Sequence, residues 1–165
     1  MLTALIIFGI AQALPLSVVL WTTRRGYRPA NRLLAAMMLT IGLEITISQL
    51  SRGSYVLRFP HVIRLGHPLD FLLGPLLYLY VRALTDRRQL GRRDVLHFVP
   101  AIACAVYLLP YYFHSAAYKL ADRNSPAYAN WYYLRTGLAI VIAGCYVVAG
   151  LRLALKNRNA DSQLR

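Results

Sequence analysis

The chain alternates between long apolar runs and short segments rich in arginine. Residues 2–23 carry no charged side chain, residues 33–50 carry only Glu44, and residues 68–84 carry Asp70 and Arg82. Residues 95–113 are again uncharged, and residues 131–151 hold Arg135 alone. None of these runs alternates polar with apolar at every second position, so membrane β-strands are excluded. An α-helix rises about 1.5 Å per residue, and ~20 apolar residues cross a hydrocarbon layer of ~30 Å. The pattern therefore predicts an all-α integral membrane helical bundle with five transmembrane helices over these five runs. Residues 1–155 form the membrane domain and 156–165 a polar cytoplasmic tail. The second and third runs are short and need interfacial residues or a thin bilayer at their ends.

Composition sharpens this picture. Of the 165 residues 58% are hydrophobic, and the mean hydropathy of +0.43 coexists with a net charge of +13. A domain of this size leaves much of its surface in water, so one soluble core cannot hide so many apolar side chains. The apolar content also excludes disorder, and two cysteines, Cys104 and Cys145, exclude a disulfide scaffold.

The basic residues set an orientation. Segments 24–32 and 82–93 and the tail from Arg152 hold 13 of the 19 Lys and Arg. The alternate side holds Arg52, Arg58, Arg64, Lys119 and Arg123, with Arg135 just inside the membrane. The richer side is expected to be cytoplasmic, which puts the N-terminus outside and the C-terminus inside. The first run lacks a basic n-region and is followed by Arg24 and Arg25, as a retained span is, rather than a cleaved signal peptide. Trp21, Tyr107, Tyr111, Tyr112, Trp131, Tyr132 and Tyr133 lie at span ends, where amphipathic rings anchor to headgroups.

Ionisable groups inside a membrane are costly and point to a site. Glu44 lies about 9 Å below the outer end of its span and Arg135 about 6 Å below its own, while Asp70 opens the third span. Thr40, Glu44, Ser48 and Ser51 form one polar stripe at near-helical spacing. One reading is an outward-opening ligand pocket in which Glu44 pairs with Arg135. The other is three separate solutions: Arg135 snorkelling to headgroups, Asp70 at a helix start, and Glu44 protonated and hydrogen-bonded. Pro15, Pro75, Pro100 and Pro110 fall in or near the spans, and Gly74-Pro75 is the strongest candidate for a helix break.

Other chemistry is thinly represented. His97 and His114 lie ~25 Å apart along one helix and cannot share a haem. His61, His67 and His114 lack the close spacing of metal ligands. There is no CxxC, HExxH, GxSxG or phosphate loop, and no nucleophile stands beside an evident base. No enzymatic role, metal or cofactor is expected. Lipid is the expected partner of the basic loops, direct contact with nucleic acid is not expected, and homodimerisation stays open.

The stretch PLDFLLGPLLYLYVRALTDRRQLGRRDVLHFVP, residues 68–100, resembles the membrane-embedded N-terminal part of a group of bacterial AraC-type transcriptional regulators. Phe71, Gly74, Pro75, Tyr78, Tyr80, His97, Phe98 and Pro100 carry the resemblance, with Tyr55, Pro60 and the later LLPYY beside them. It implies a multi-span sensor region in the bacterial inner membrane, often of about seven helices, followed by a cytoplasmic helix-turn-helix domain. This sequence departs from that pattern in lacking the last spans and the DNA-binding domain. A truncated product, a fragment and a stand-alone membrane protein are all compatible with that. A small multi-span transporter subunit is the rival reading.

Overall fold

The computed structural model describes residues 2–86 and 90–163, all helix or connecting turn and loop. Each of the five apolar runs lies on a helix. These are α1 (Leu2–Thr22), α2 (Arg28–Leu50), α4 (His67–Asp86), α5 (Val99–Tyr112) and α7 (Pro126–Gln163). A 3₁₀ segment, Arg92–Phe98, leads straight into α5. Two short helices, α3 (Tyr55–Arg58) and α6 (Ala116–Arg123), lie in the connections, α3 being followed by a 3₁₀ turn over Pro60–Val62.

The boundaries have local causes. α2 begins at Arg28, ahead of its apolar run, because Pro29 fits a first turn whose N–H groups have no helical partner. Pro100 occupies the same kind of position in α5. Gly26 turns the chain between α1 and α2 with φ +77°, which a side chain would resist. Ser115 caps α6 by accepting from the Tyr118 N–H at 3.4 Å. The break expected at Gly74-Pro75 is not an interruption, since α4 continues through both residues as one helix. Pro75 is fully buried there, where packing holds the helix together despite its missing donor.

α4 is the centre of the bundle. It packs on α2 along one side, on α7 along another and on α5 along a third, while α1 packs on the far side of α2. Ala30 and Leu33 of α2 meet Leu76, Leu79 and Ala83 of α4 in one cluster, and Phe71, Ala101 and Ala139 join α4, α5 and α7 in another. Small residues allow the close approaches, as they do between helices in lipid. A Cβ on Gly42 would lie 3.0 Å from the Ala13 Cβ, and one on Gly74 would lie 3.0 Å from the Ala143 Cα.

Among the described residues, three helices are long and apolar enough to cross a membrane: Arg28–Leu50, Arg92–Tyr112 and Pro126–Asn157. Phe8–Thr22 of α1 is a shorter apolar helix. Much of the α7 surface is apolar and exposed, Leu134, Ile140 and Val141 among it, as a lipid-facing helix requires. α7 has 38 residues, about 57 Å of helix, and its end includes residues expected to be a polar tail.

At one end of the bundle the connections fold into a cap made of α3, the 3₁₀ turn and α6. At the opposite end, Arg82 of α4 pairs with Asp94 at 2.6 Å, and the Gly91 N–H donates to the other Asp94 oxygen at 2.8 Å. Asn157 of α7 donates to Asp86 at the end of α4 at 3.2 Å.

Candidate functional site

α2 and α7 both pack on α4 but not extensively on each other. The space left between them, beneath the cap, is a cavity of about 640 Å³. That volume is typical of a small-molecule site. Glu44, Ile47 and Ser48 line it from α2, His67, Asp70 and Leu73 from α4, and Tyr132, Arg135 and Ile140 from α7. All three ionisable residues singled out from the sequence therefore face one cavity.

Their pairing differs from the arrangement that depth along the helices suggested. Arg135 makes its ion pair with Asp70, through Nη1 and Oδ2. Glu44 lies near enough for a Coulombic interaction with Arg135 but not within ion-pair distance. Helix direction explains the choice. Side chains lean toward the N-terminus of their helix. α4 and α7 both start at the cap, so Asp70 and Arg135 both lean toward it and meet. α2 ends at the cap, so Glu44 leans away into the bundle. Arg135 is buried, its Nη2 donates to the Thr136 hydroxyl at 3.1 Å, and its guanidinium lies 5.4 Å from the Tyr132 ring centre.

The cavity roof is an assembly that sequence reasoning missed. Arg64 pairs with Asp122 of α6 at 2.7 Å. Its guanidinium stands 4.5 Å from the Tyr111 ring centre, 4.9 Å from Tyr128 and 4.7 Å from Trp131. Arg64 also holds a left-handed backbone, φ 65°, which is uncommon for a side-chain-bearing residue. Beside it Lys119, only 1% exposed, donates to the Tyr112 carbonyl at 2.9 Å and contacts His61 Nδ1 at 2.9 Å. Arg64 and Lys119 are thus not free loop charges. Each joins the 51–66 connection to α6 across 58 residues of sequence, and no local spacing announces such a pair. The only sequence signal is the concentration of Tyr and Trp at the matching span ends, which offers rings to a cation.

The residues of segment 68–100 that carry the resemblance lie elsewhere, on the contacts of α4 with α7, α5 and α2. Tyr78, His97 and Tyr146 form a three-ring cluster with centres 5.3–5.9 Å apart. His97 Nδ1 and the Tyr146 hydroxyl are 3.1 Å apart. Phe71 and Pro75 are buried, Tyr80 and Phe98 pack on the α2–α4 cluster, and Gly74 lies against Ala143 and Tyr146. The structure gives these motif residues packing roles, with Pro100 in the first turn of α5. Among the described residues, no three His, Cys, Asp or Glu side chains group as a metal site would require.

The fold is an all-α bundle with helices suited to a membrane. The chain matches no protein-family model, no curated protein and no solved structure.

Proposed function

We propose that the chain is a multi-span membrane protein that receives a ligand in the cavity beneath the cap. On this reading all five apolar helices span, with the cap outside and the Asp86 end of α4 in the cytoplasm. The sequence distribution of basic residues supports that orientation, since segments 24–32 and 82–93 and the tail from Arg152 hold 13 of the 19. One observation carries the ligand reading: Glu44, Asp70 and Arg135, from three different helices, converge on one open cavity. A charged group in a membrane domain is retained against its cost when it serves such a site.

The site is placed to be read from the other side. Asp70 and Arg135 join α4 to α7 at the cap, and Asn157 joins α7 to α4 at the opposite end. A ligand that competes for Arg135 loosens the first contact and favours a different seating of α7. That shift requires the ligand to bind one seating more tightly than the other. The role is then that of a sensor, and the similarity of residues 68–100 to AraC-type membrane regions fits it. The motif residues there have packing roles, so they support a shared helical arrangement more than a shared output. A small multi-span transporter subunit, or a stand-alone membrane protein of another activity, fits the same open cavity between α2 and α7.

The coupling is tested with spin labels at Thr85 on α4 and Lys156 on α7, in lipid nanodiscs. Asp70→Asn, at the cap end, is expected to shift or broaden the distance distribution at the opposite end. An unchanged distribution in a folded variant contradicts the sensor reading.

A further inference from the structure

The cavity has an unbalanced set of charges. Four arginines line it, Arg52, Arg64, Arg123 and Arg135, against two carboxylates, Glu44 and Asp70. Asp70 is committed to Arg135, and Arg64 to Asp122. Arg52 and Arg123 pair with no carboxylate among the described residues.

Among the described residues, buried nitrogens of three wall residues lack hydrogen-bond partners: Arg64 Nε, His67 Nδ1, and Nε and Nη1 of Arg135, the last meeting Asp70 only as an ion pair. Arg135 is 8% exposed and His67 9%. A buried donor left unpaired is costly, so each calls for an acceptor. Arg135 Nε is a donor always, and His67 Nδ1 is one in the tautomer that carries hydrogen there. Arginine beside a second donor is the arrangement that holds carboxylate and phosphate oxygens. A cation would meet two unpaired arginines and find as its one available carboxylate Glu44, itself within Coulombic range of Arg135.

Away from the cap the wall changes character. Leu73, Ile140 and Ala143 line it there, one to two helical turns beyond Asp70 and Arg135. They suit a hydrocarbon chain, which could lie in the gap between α2 and α7.

We propose that the cavity binds an anionic amphiphile, with its oxyanion head at Arg135 and His67 and its apolar chain against Leu73, Ile140 and Ala143. This rests on the cavity being a ligand site. Arg52 and Arg123 attract the head electrostatically, and Glu44 opposes it. Glu44 therefore sets affinity downward, so removing its charge tightens binding.

The test uses the full chain in neutral detergent with Trp21→Phe, which leaves Trp131 as the only tryptophan. Trp131 touches His67, with ring centres 5.0 Å apart, and reports on the site. Dioctanoyl phosphatidylglycerol is expected to change its fluorescence saturably. Dioctanoyl phosphatidylcholine, with the same phosphate and chains but a choline cation that Arg52 and Arg123 repel, is expected to bind about tenfold more weakly. Arg123→Gln, on the rim and away from the buried pair, is expected to weaken the glycerol lipid, and Glu44→Gln to tighten it. Octanoate that competes would show that soluble carboxylates share the site. Failure of octanoate to compete would assign the site to the bilayer lipid, with the proposal standing in both cases. Equal binding of the two lipids, a weakening by Glu44→Gln, or no saturable response to the glycerol lipid would overturn it. The spin-label measurement uses no ligand, so a shift seen there alongside a failure here would discard the ligand class and keep the sensor reading.

Discussion

Gly74→Val is expected to separate α4 from α7 and to cost about 2 kcal/mol or more, within or above the usual range for forcing extra carbon into a packed contact. The cause is backbone proximity. A Cβ at this position would stand 3.0 Å from the Ala143 Cα and 3.1 Å from the Tyr146 Cδ2. A backbone atom cannot swing aside as a side-chain end can, so α7 itself must move. The branched carbons of valine then press on Tyr146 and through it on His97 and Tyr78. Valine's better helix propensity returns only a few tenths of a kcal/mol relative to glycine, too little to offset the contact. Gly144→Val on the same helix is the control, because a Cβ there meets nothing within 4 Å. Thermal unfolding followed by size exclusion in detergent distinguishes the two. The account expects a lowered midpoint for Gly74→Val and little change for Gly144→Val. Equal midpoints would mean that α4 and α7 do not approach as described.

The second large effect concerns the pair at the cap end. Asp70→Asn leaves the Arg135 guanidinium buried without its counter-charge, a change that costs about 3–5 kcal/mol when both partners are enclosed. Asp70 is partly exposed to the cavity, so the loss is expected at or below the lower limit. Asp70→Arg and Arg135→Asp should each reduce the folded yield, and the double variant should recover part of it. Stabilities of the two singles and the double, taken as a cycle, are expected to show a coupling of about 1–3 kcal/mol. Additivity within about 0.5 kcal/mol would show that the two residues do not interact. The same cycle with Glu44→Gln in place of Asp70→Arg should give a smaller coupling, because Glu44 acts on Arg135 at longer range.

The sequence carried the helices well and their contacts poorly. Apolar runs are local signals, and five helices lie on the five runs. α7 outlasts its run because the following residues, such as Leu153, Ala154, Leu155 and Lys156, are good helix formers even where they are polar. α3 and α6 carry no such signal. They have 4 and 8 residues, too few to be stable alone, and are held by contacts across the sequence such as Arg64 to Asp122. The candidate site was legible as a layer. Counting residues put Glu44, Asp70 and Arg135 near one end of the bundle. Which two would pair depended on the lean of side chains along helices of opposite direction, and depth alone does not contain that. Gly74 and Pro75 suggested a break when read alone. Their packing against α7 explains them better, since glycine permits the approach of Ala143.

Charges at the cap end have partners in the fold. Arg64 and Lys119 counted against the cytoplasmic bias of basic residues when taken as loop charges. Lys119 is buried and Arg64 half-buried in the cap, each with partners, so they serve its structure. The proposed orientation then rests on arginines of the opposite end, such as Arg24, Arg25, Arg92 and Arg152, all of them exposed.

The central claim is a ligand cavity open to the outside, with the end of α7 in the cytoplasm. The most direct measurement is cysteine accessibility in intact cells, in a chain with Cys104 and Cys145 replaced by alanine. Ser48→Cys, on the cavity wall, should react with a small membrane-impermeant thiol reagent added outside. Lys156→Cys should react only after the cells are opened. Labelling of Lys156→Cys from outside, with Ser48→Cys protected, would contradict the account.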